Sequence, residues 1–279
     1  MKTKVYIVKK KPEETIQDVT LRTLDLIPLK DIISNSENKI LINPNWVCRD
    51  HSDSGNVTST DTLESIINYL IDKVNITPEK IIVADGGDSS STDATMKLND
   101  VFRLEEYGVK VYDLNQDERI NDIKIPHPLV LKTVNLAKIA WDASCIISVP
   151  SLKTHSMAET TLSMKNMMGT ILPKGIMHSN IHEKIADLTS LLRPKMKFQI
   201  IDGIIGSEGS EIGGYPVRMD IIVAGEDPVA VDCVGSAIIG YTPKKAKYLK
   251  FAEKKGLGIA NLEEIEIIGA NIEDVCQKF

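Results

Sequence analysis

Residues 145–155 read CIISVPSLKTH, a short apolar run that ends in a lysine and a histidine. A run of this length that is rich in β-branched residues is typical of a buried strand. Runs of the same kind recur along the whole chain, at residues 4–8, 39–43, 80–85, 109–114, 198–202, 220–225 and 264–269. We therefore predict eight buried strands.

Helical patterns separate several of these runs. Residues 60–73 and 181–192 each place leucine and isoleucine on one face of a helix. Alternating strands and helices predict an α/β fold with a mostly parallel, mixed sheet and helices on both faces. In such sheets ligands bind in a crevice at the carboxyl ends of the strands. Because no repeat or linker divides the chain, we expect one α/β domain over residues 1–279, or two lobes of it.

The composition excludes some classes of function. The chain has 279 residues, 42% of them hydrophobic, and a net charge of −6. Its lysines and arginines are spread evenly, so no basic face favours nucleic acid or an anionic membrane. The apolar stretch within residues 1–14 is too short for a signal peptide or a membrane span. We expect a cytoplasmic protein.

The cysteines indicate no cluster chemistry. Cys48, Cys145, Cys233 and Cys276 lie far apart and form no CxxC pair. Neither a disulfide framework nor a zinc or iron–sulfur site is expected from this spacing.

The segment 148–170 concentrates the polar groups that suggest a ligand site. Lys153, His155, Lys165 and Asn166 stand there among Met, Leu, Thr and Ala, which favours a site for a small anion. Ser156 and Glu159 fit a capping box, which predicts a helix that begins after His155. Lys153 and His155 would then flank the positive helix terminus.

That helix would separate the two lysines. Lys165 would lie roughly 14 Å along it, too far to share one small anion with Lys153 unless the helix is short or bent. The alternative for Lys165 is an aliphatic chain that packs on the protein while its amine reaches water.

Two histidines raise the question of a metal. His178 and His182 are four residues apart, the spacing of two ligands on one helical face. Asn180 and Glu183 look like a helix cap, however, which would place His178 before the helix. Ligand contact or proton transfer by His178 is then favoured over a metal pair.

Carboxylates form a second group. Asp227 before Pro228 predicts a helix start. Asp232 in an apolar helix is expected to pair with a cation or a metal, and Lys153 and Lys165 are the candidate cations. Asp85 and Asp202 follow strands; with Asp88 and Glu208 they are a candidate Mg²⁺ site, or they stabilise turns.

Loops at other strand ends complete the predicted crevice. Gly86 and Gly87 would let backbone approach an oxyanion, although the spacing of nucleotide-binding motifs is missing. Asn45 could supply an amide, and Trp46 either a stacking surface or core packing. The glycine-rich loop 206–214 is expected to be the most mobile element.

Ordered motifs in the chain resemble those of a known family. They are LINPNWV (41–47), VADGGD (83–88), SVPSLKTH (148–155), LSMKNMMGT (162–170), His178 with His182-Glu183, IIDGIIGSEG (200–209) and GEDPVAVDCVGSAIIG (225–240). Over residues 38–245 they resemble the family called domain of unknown function 362 (DUF362). The family's recurring residues map onto Asn45, Asp85, Gly86, Lys153, His155, Lys165, Asn166, Gly169, His178, Asp202, Gly203, Asp227 and Asp232.

The resemblance implies little chemistry. Many members carry an additional ferredoxin-type segment whose cysteines hold iron–sulfur clusters, and this chain has no such run. It therefore resembles the bare core of the family, and any redox partner would be a separate protein.

The residues favour an enzyme that acts by acid–base chemistry on a small carboxylate or phosphate metabolite. Lys153 and Lys165 would hold the anion, His155 or His178 would move a proton, and Asn166 would orient the substrate. Two alternatives stay open. One is a non-catalytic carrier of a metabolite or cofactor, and the other is a Mg²⁺-dependent enzyme that uses the strand-end carboxylates.

Overall fold

The computed structural model describes residues 2–33, 39–88 and 90–279. The strands are β1 (Thr3–Lys9), β2 (Ile40–Pro44), β3 (Ile81–Asp85), β4 (Lys110–Asp113), β5 (Arg119–Lys124), β6 (Thr133–Ala137), β7 (Cys145–Val149), β8 (Ser151–His155), β9 (Glu159–Thr161), β10 (Met196–Glu208), β11 (Tyr215–Gly225) and β12 (Ile265–Gly269). The helices are α1 (Ile16–Asp25), α2 (Leu29–Ile33), α3 (Thr60–Asp72), α4 (Thr92–Leu98), α5 (Lys138–Asp142), α6 (Ser163–Asn166), α7 (Ile181–Leu192), α8 (Pro228–Ile238), α9 (Lys247–Lys254) and α10 (Ile272–Val275).

The main sheet has the strand order β12-β1-β11-β10-β7-β2-β3-β4. Neighbours from β10 to β4 pair in parallel, as do β1 and β12, whereas β11 is antiparallel to both β1 and β10. All eight strands except β11 therefore run in one direction. The prediction of a mostly parallel, mixed sheet is confirmed, and each of the eight predicted strands is present.

The sheet is covered on both faces. Side chains of successive strand residues point to opposite sides, so Val5 and Ile7 lie in one apolar core while Tyr6 and Val8 lie in the other. Helices α7, α8 and α9 pack on the first side, and α1 and α3 on the second. This arrangement explains why the strands read as continuous apolar runs rather than as an alternation.

The order of the strands places a crevice between β2 and β7. From β2 the chain moves outward through β3 to β4, whereas from β7 it moves the other way through β10 to β11. Loops that leave two neighbouring strands in opposite directions leave an opening at the carboxyl ends, which is where such sheets bind ligands.

The helix predicted after His155 is wrong. The chain instead turns and returns as β9, which pairs antiparallel with β8. The His155 ring takes the place of the predicted serine cap, since its Nδ1 accepts the N–H groups of Met157 (3.0 Å) and Ala158 (3.2 Å). Ser156 Oγ donates to Glu211 instead. The hairpin brings Lys165 back toward His155, so the predicted 14 Å separation along a helix does not apply.

Two further boundaries differ from expectation. Strand β10 extends to Glu208, so pairing with β11 absorbs the start of the predicted loop 206–214. Helix α7 begins after Asn180 as predicted, but that residue has φ 51° and its side chain makes no capping hydrogen bond. Among the described residues, no helix combines the length and the apolar character that a membrane crossing requires.

Candidate functional site

A pocket of about 340 Å³ lies at the carboxyl ends of β2, β3 and the β7–β8 segment. It therefore lies at the carboxyl edge of the sheet, as predicted, beside the point where the strand connections change direction. Its walls are formed by Asn45, Val47, Asp85, Gly86, Gly87, Asp88, His155, Met157, Lys165, Asn166, Met168, Gly169, Lys174, His178, Glu211 and Ile212.

Lys165 is the most unusual group in the pocket wall. It lies in the short helix α6 and is only 8% exposed. Within the described ranges its Nζ has neither a hydrogen-bond acceptor nor a carboxylate within 4 Å, whereas buried amines are normally paired. Burial lowers the pKa of Lys165 to about 8, although Glu211 and Asp85 act in the opposite direction.

Lys153 has the opposite surroundings. It is fully buried behind the pocket and does not line it. Its Nζ donates to Asn45 Oδ1 (2.8 Å), to the carbonyl of Asn56 (2.6 Å) and to that of Glu211 (3.3 Å). Burial lowers the pKa of Lys153 to about 7, and the charge of Lys165 adds to this shift. Lys153 therefore supports the site from behind.

A chain of buried amides continues from Lys153 to the pocket wall. Asn45 Nδ2 donates to Asn166 Oδ1 (2.9 Å), and Asn166 Nδ2 donates to the carbonyls of Asn43 (2.9 Å) and Pro44 (3.1 Å). Asn166 follows Lys165 directly in α6. These bonds fasten α6 to the end of β2, so the backbone that carries Lys165 is held in place.

Asp85 ends β3 beneath the pocket floor. Its carboxylate accepts hydrogen bonds from the Trp46 N–H (2.8 Å) and from Asn43 Nδ2 (3.2 Å). Burial raises the pKa of Asp85, although these two hydrogen bonds act to lower it. Trp46 is fully buried, so it packs in the core and serves the site through its backbone. Gly87 also touches Trp46, because a Cβ at Gly87 would meet the Trp46 carbonyl at 1.9 Å.

Gly169 is required where it packs on Asp85. A Cβ added at Gly169 would lie 1.8 Å from Asp85 Oδ1, so Gly169→Ala must displace the buried carboxylate. We expect this substitution to lower the free energy of unfolding by about 2 to 3 kcal/mol in urea denaturation. Gly175→Ala is the matched control, because nothing lies within 4 Å of its added Cβ. Equal stability of the two variants would show that the floor of the pocket is not closely packed.

His155 presents a hydrogen-bond donor to the pocket. Its Nδ1 accepts two backbone N–H groups, so the proton of the neutral ring is on Nε2, which lies 3.9 Å from Glu211 Oε1. Burial, followed by the charge of Lys165, holds the pKa of His155 well below its usual value.

Glu211 closes the same side of the pocket. Burial alone would raise the pKa of Glu211, but hydrogen bonds from Ser156 and the nearby His155 lower it overall. The carboxylate oxygens accept from the N–H of Ser156 (3.1 Å) and from its Oγ (2.9 Å). Glu211 is therefore a carboxylate already engaged by donors of the hairpin.

The two histidines named for a metal pair lie in different surroundings. His178 is exposed at the mouth of the pocket. His182 does not line the pocket and stacks on Tyr248 with 6.2 Å between ring centroids. The two rings therefore do not line one site together, and a role for His178 in proton transfer stays a prediction.

The predicted pairing of Asp232 with a lysine is also wrong. Its carboxylate accepts the N–H groups of Ser163 (2.7 Å) and Met164 (2.9 Å), the first turn of α6. Burial raises the pKa of Asp232 to about 7, and these two bonds oppose the shift. Asp232 thus caps the helix that carries Lys165. Asp227 caps α8 as predicted, accepting from Val229 and Ala230.

The strand-end carboxylates do not converge. Asp85 and Asp88 line the pocket, but Asp202 and Glu208 do not. Asp202 accepts from the Ser59 N–H and from Thr62 Oγ1 at the start of α3. Within the described ranges, no group of three or more His, Cys, Asp or Glu side chains is arranged to hold a metal. The Mg²⁺ alternative therefore has no ligand set.

The other residues predicted to bind the ligand differ in whether they line the pocket. Gly203 lies in β10, packed against Ile221 and Leu152, and not in the pocket. Asn45, Gly86, Gly87 and Asn166 do line the pocket. In the predicted ADGGDSSST loop, Ser89 lies outside the described residues.

Sequence reasoning missed several lining residues. Lys174 donates to Asn115 Oδ1 (2.7 Å), and burial lowers its pKa. It stands between two motifs, and only its closeness to the Met168-Gly169 segment could have drawn attention to it. Glu211 lies in the glycine-rich loop 206–214, where the sequence predicts Glu208 as the carboxylate of interest. The apolar lining residues, namely Val47, Met157, Met168 and Ile212, carry no sequence signal.

Comparisons with known proteins give a family and two further similarities. A family model described as "Domain of unknown function (DUF362)" matches residues 40–237, in agreement with the resemblance of the ordered motifs. The chain is 27% identical over 134 residues to the thylakoid-associated protein sll1697 of Synechocystis sp., covering 44% of this chain and 41% of that protein. It therefore spans less than half the length of that relative. The lactate racemase apoprotein of Thermoanaerobacterium thermosaccharolyticum has 14% identity and a TM-score of 0.49, over 90% of this chain and 56% of that one.

Proposed function

The chain belongs to the DUF362 family, and we propose that it is an enzyme that acts by proton transfer on a small anionic metabolite bound in this pocket. The observation that carries the proposal is Lys165, a largely buried side chain whose amine reaches the pocket and has no acceptor among the described residues. Burial of the side chain disfavours the charged form of this amine. A role in ligand binding or catalysis accounts for a lysine in this part of the pocket wall.

The charges of the pocket favour an anionic ligand. Within the described part of the chain, Lys165 and Lys174 both line the pocket and neither has a carboxylate within 4 Å. The two nearest carboxylates, Asp85 and Glu211, are already bonded to N–H donors. A bound carboxylate or phosphate would give each of the two lysines an anionic partner.

The titration properties favour proton transfer. A pKa of about 8 lets Lys165 exist in both protonation states near neutral pH, as a general base or acid must. His178 at the pocket mouth is a second candidate for moving a proton. His155, with its donor on Nε2, would orient the anionic group. The cytoplasmic location and the separate redox partner stay predictions from the sequence.

Ligand binding is tested with inorganic phosphate and short mono- and dicarboxylic acids. At least one of these is expected to raise the thermal unfolding midpoint of the protein, because it supplies the missing counter-charge. Lys174→Gln should weaken that binding about tenfold, measured by calorimetry, since one of two pocket cations is lost. Lys250→Gln, an exposed lysine on α9, is the control and should bind as the natural protein does. Absence of any stabilisation at millimolar concentration would contradict the anionic ligand.

Catalysis is tested separately by solvent exchange. The stabilising acids are incubated with the protein in D₂O, and loss of the C–H signal is followed by proton NMR. Exchange that depends on the protein and disappears in Lys165→Met is the expected result. Binding without exchange for every acid that binds would instead favour the carrier alternative.

A further inference from the structure

We propose that Lys165 forms a covalent imine with the carbonyl carbon of a small 2-oxo acid, an inference that rests on the proposed function of the pocket and names its substrate class. Lys165 Nζ is a nucleophile once it is neutral, and it opens into a pocket of about 340 Å³. The same pocket holds donors for a carboxylate beside it. A 2-oxo acid carries both groups on adjacent carbons.

The amine is held ready for attack. Asp232 binds the N–H groups of the first turn of α6, and Asn166 ties the last residue of α6 to β2. The backbone of Lys165 is therefore fixed on both sides. No acceptor in the described part of the chain competes for its amine. A positioned nucleophile without a competing partner is the arrangement that imine-forming enzymes require.

Burial makes the amine reactive at neutral pH. With a pKa of about 8, Lys165 is neutral about a tenth of the time at pH 7, against about one part in 3,000 for an ordinary lysine. Met168 and Val47 supply an apolar part of the lining of the same pocket. The larger neutral fraction of the amine favours attack on a carbonyl carbon at pH 7.

The reaction balances without a further reagent. The lone pair of neutral Nζ attacks the carbonyl carbon, the C–N bond forms, and a proton moves from nitrogen to the former carbonyl oxygen. The second nitrogen proton is transferred to this oxygen as the C–O bond breaks, so that water leaves and a neutral C=N bond remains. Hydrolysis reverses the sequence. The imine withdraws electrons from the substrate, which makes loss of a proton from the adjacent carbon easier, in keeping with the proposed proton transfer.

Two donors would hold the carboxylate of the 2-oxo acid. Among the described residues Lys174 donates one hydrogen bond, to Asn115, and keeps further N–H donors for a ligand. His155 offers its Nε2 proton from the hairpin, because its Nδ1 is occupied by backbone N–H groups. The two stand in the same pocket as Lys165. A carbonyl compound without a carboxylate would lack this anchor.

The test traps the imine. The full chain is incubated with pyruvate, the probe, and reduced with sodium borohydride, and the labelled residue is identified by peptide mass spectrometry. We expect one stable adduct per chain, on Lys165, formed at pH 7 at least about tenfold faster than on the exposed Lys250. The rate should rise with pH up to about 8 and then level off. Lys174→Gln should slow it, whereas Lys250→Gln should leave it unchanged.

Two outcomes overturn the inference. One is the absence of an adduct on Lys165, and the other is labelling spread over the exposed lysines at equal rates. Peptide mapping of the natural protein decides this even if a Lys165 variant fails to fold. If carboxylic acids still bind in calorimetry while no adduct forms, the imine is refuted and the proposed function stands. If neither binding nor labelling occurs, both fail.

Discussion

Replacing Lys153 by methionine should lower the free energy of unfolding by about 3 kcal/mol at pH 9, although the two side chains have similar length. The variant removes the donor to oxygens of Asn45, Asn56 and Glu211. At pH 9 the neutral amine has two N–H groups, so two of these oxygens lose a bond at a time. A buried acceptor without a donor costs about 1 to 3 kcal/mol.

The loss of stability in Lys153→Met should become larger as pH rises. Burial places the pKa of folded Lys153 at about 7, below the value of 10.5 that it has when exposed. Between these values the unfolded chain holds more protons, so the natural protein gains stability as pH rises. The methionine variant lacks this gain. The destabilisation should therefore be larger at pH 9 than at pH 7, measured by urea denaturation.

A control separates the network from the loss of a lysine as such. Lys250→Met removes an exposed amine and should change stability by less than about 0.5 kcal/mol. If Lys153→Met is as stable as Lys250→Met at both pH values, the three hydrogen bonds contribute nothing and the supporting role of Lys153 is wrong.

The sheet could be predicted because its signal is local. Short β-branched runs separated by helical patterns identified all eight strands of the main path, and the family followed from ordered motifs. The hairpins β5–β6 and β8–β9 were missed. In the β8–β9 hairpin, the capping-box pattern at Ser156 does not start a helix. The His155 ring instead accepts hydrogen bonds from the backbone N–H groups that follow it.

A pocket lies at the carboxyl ends of the strands, as predicted, but the roles of the residues in it depend on contacts that are distant in sequence. Nothing in the sequence distinguishes Lys153, which has three acceptors, from Lys165, which has none within the described part of the chain. The partner of Asp232 was expected to be a cation and is a pair of backbone N–H groups on α6. The hydrogen-bond partners of these side chains can be assigned only from the tertiary structure. A charged residue in an apolar sequence shows that a partner is needed, but it does not show which group that partner is.

Replacing Lys165 by methionine should have the opposite effect on stability from the same change at Lys153. The folded protein holds the pKa of Lys165 at about 8, below the exposed value of 10.5. Below pH 8 the folded chain holds this partly desolvated ammonium with no acceptor among the described residues, and the cost disappears as pH rises to 10.5. The variant should be more stable by about 2 to 3 kcal/mol at pH 7 and by much less at pH 10.

The same substitution should abolish the pyruvate adduct and the solvent exchange proposed above, so stability and function would move in opposite directions. Urea denaturation at pH 7 and pH 10 measures the first, and borohydride trapping measures the second. A Lys165→Met protein that is less stable at pH 7 would mean that the amine has a stabilising partner in solution. The amine would then be structural like that of Lys153, and both the proton transfer and the imine would lose the unpaired group on which they rest.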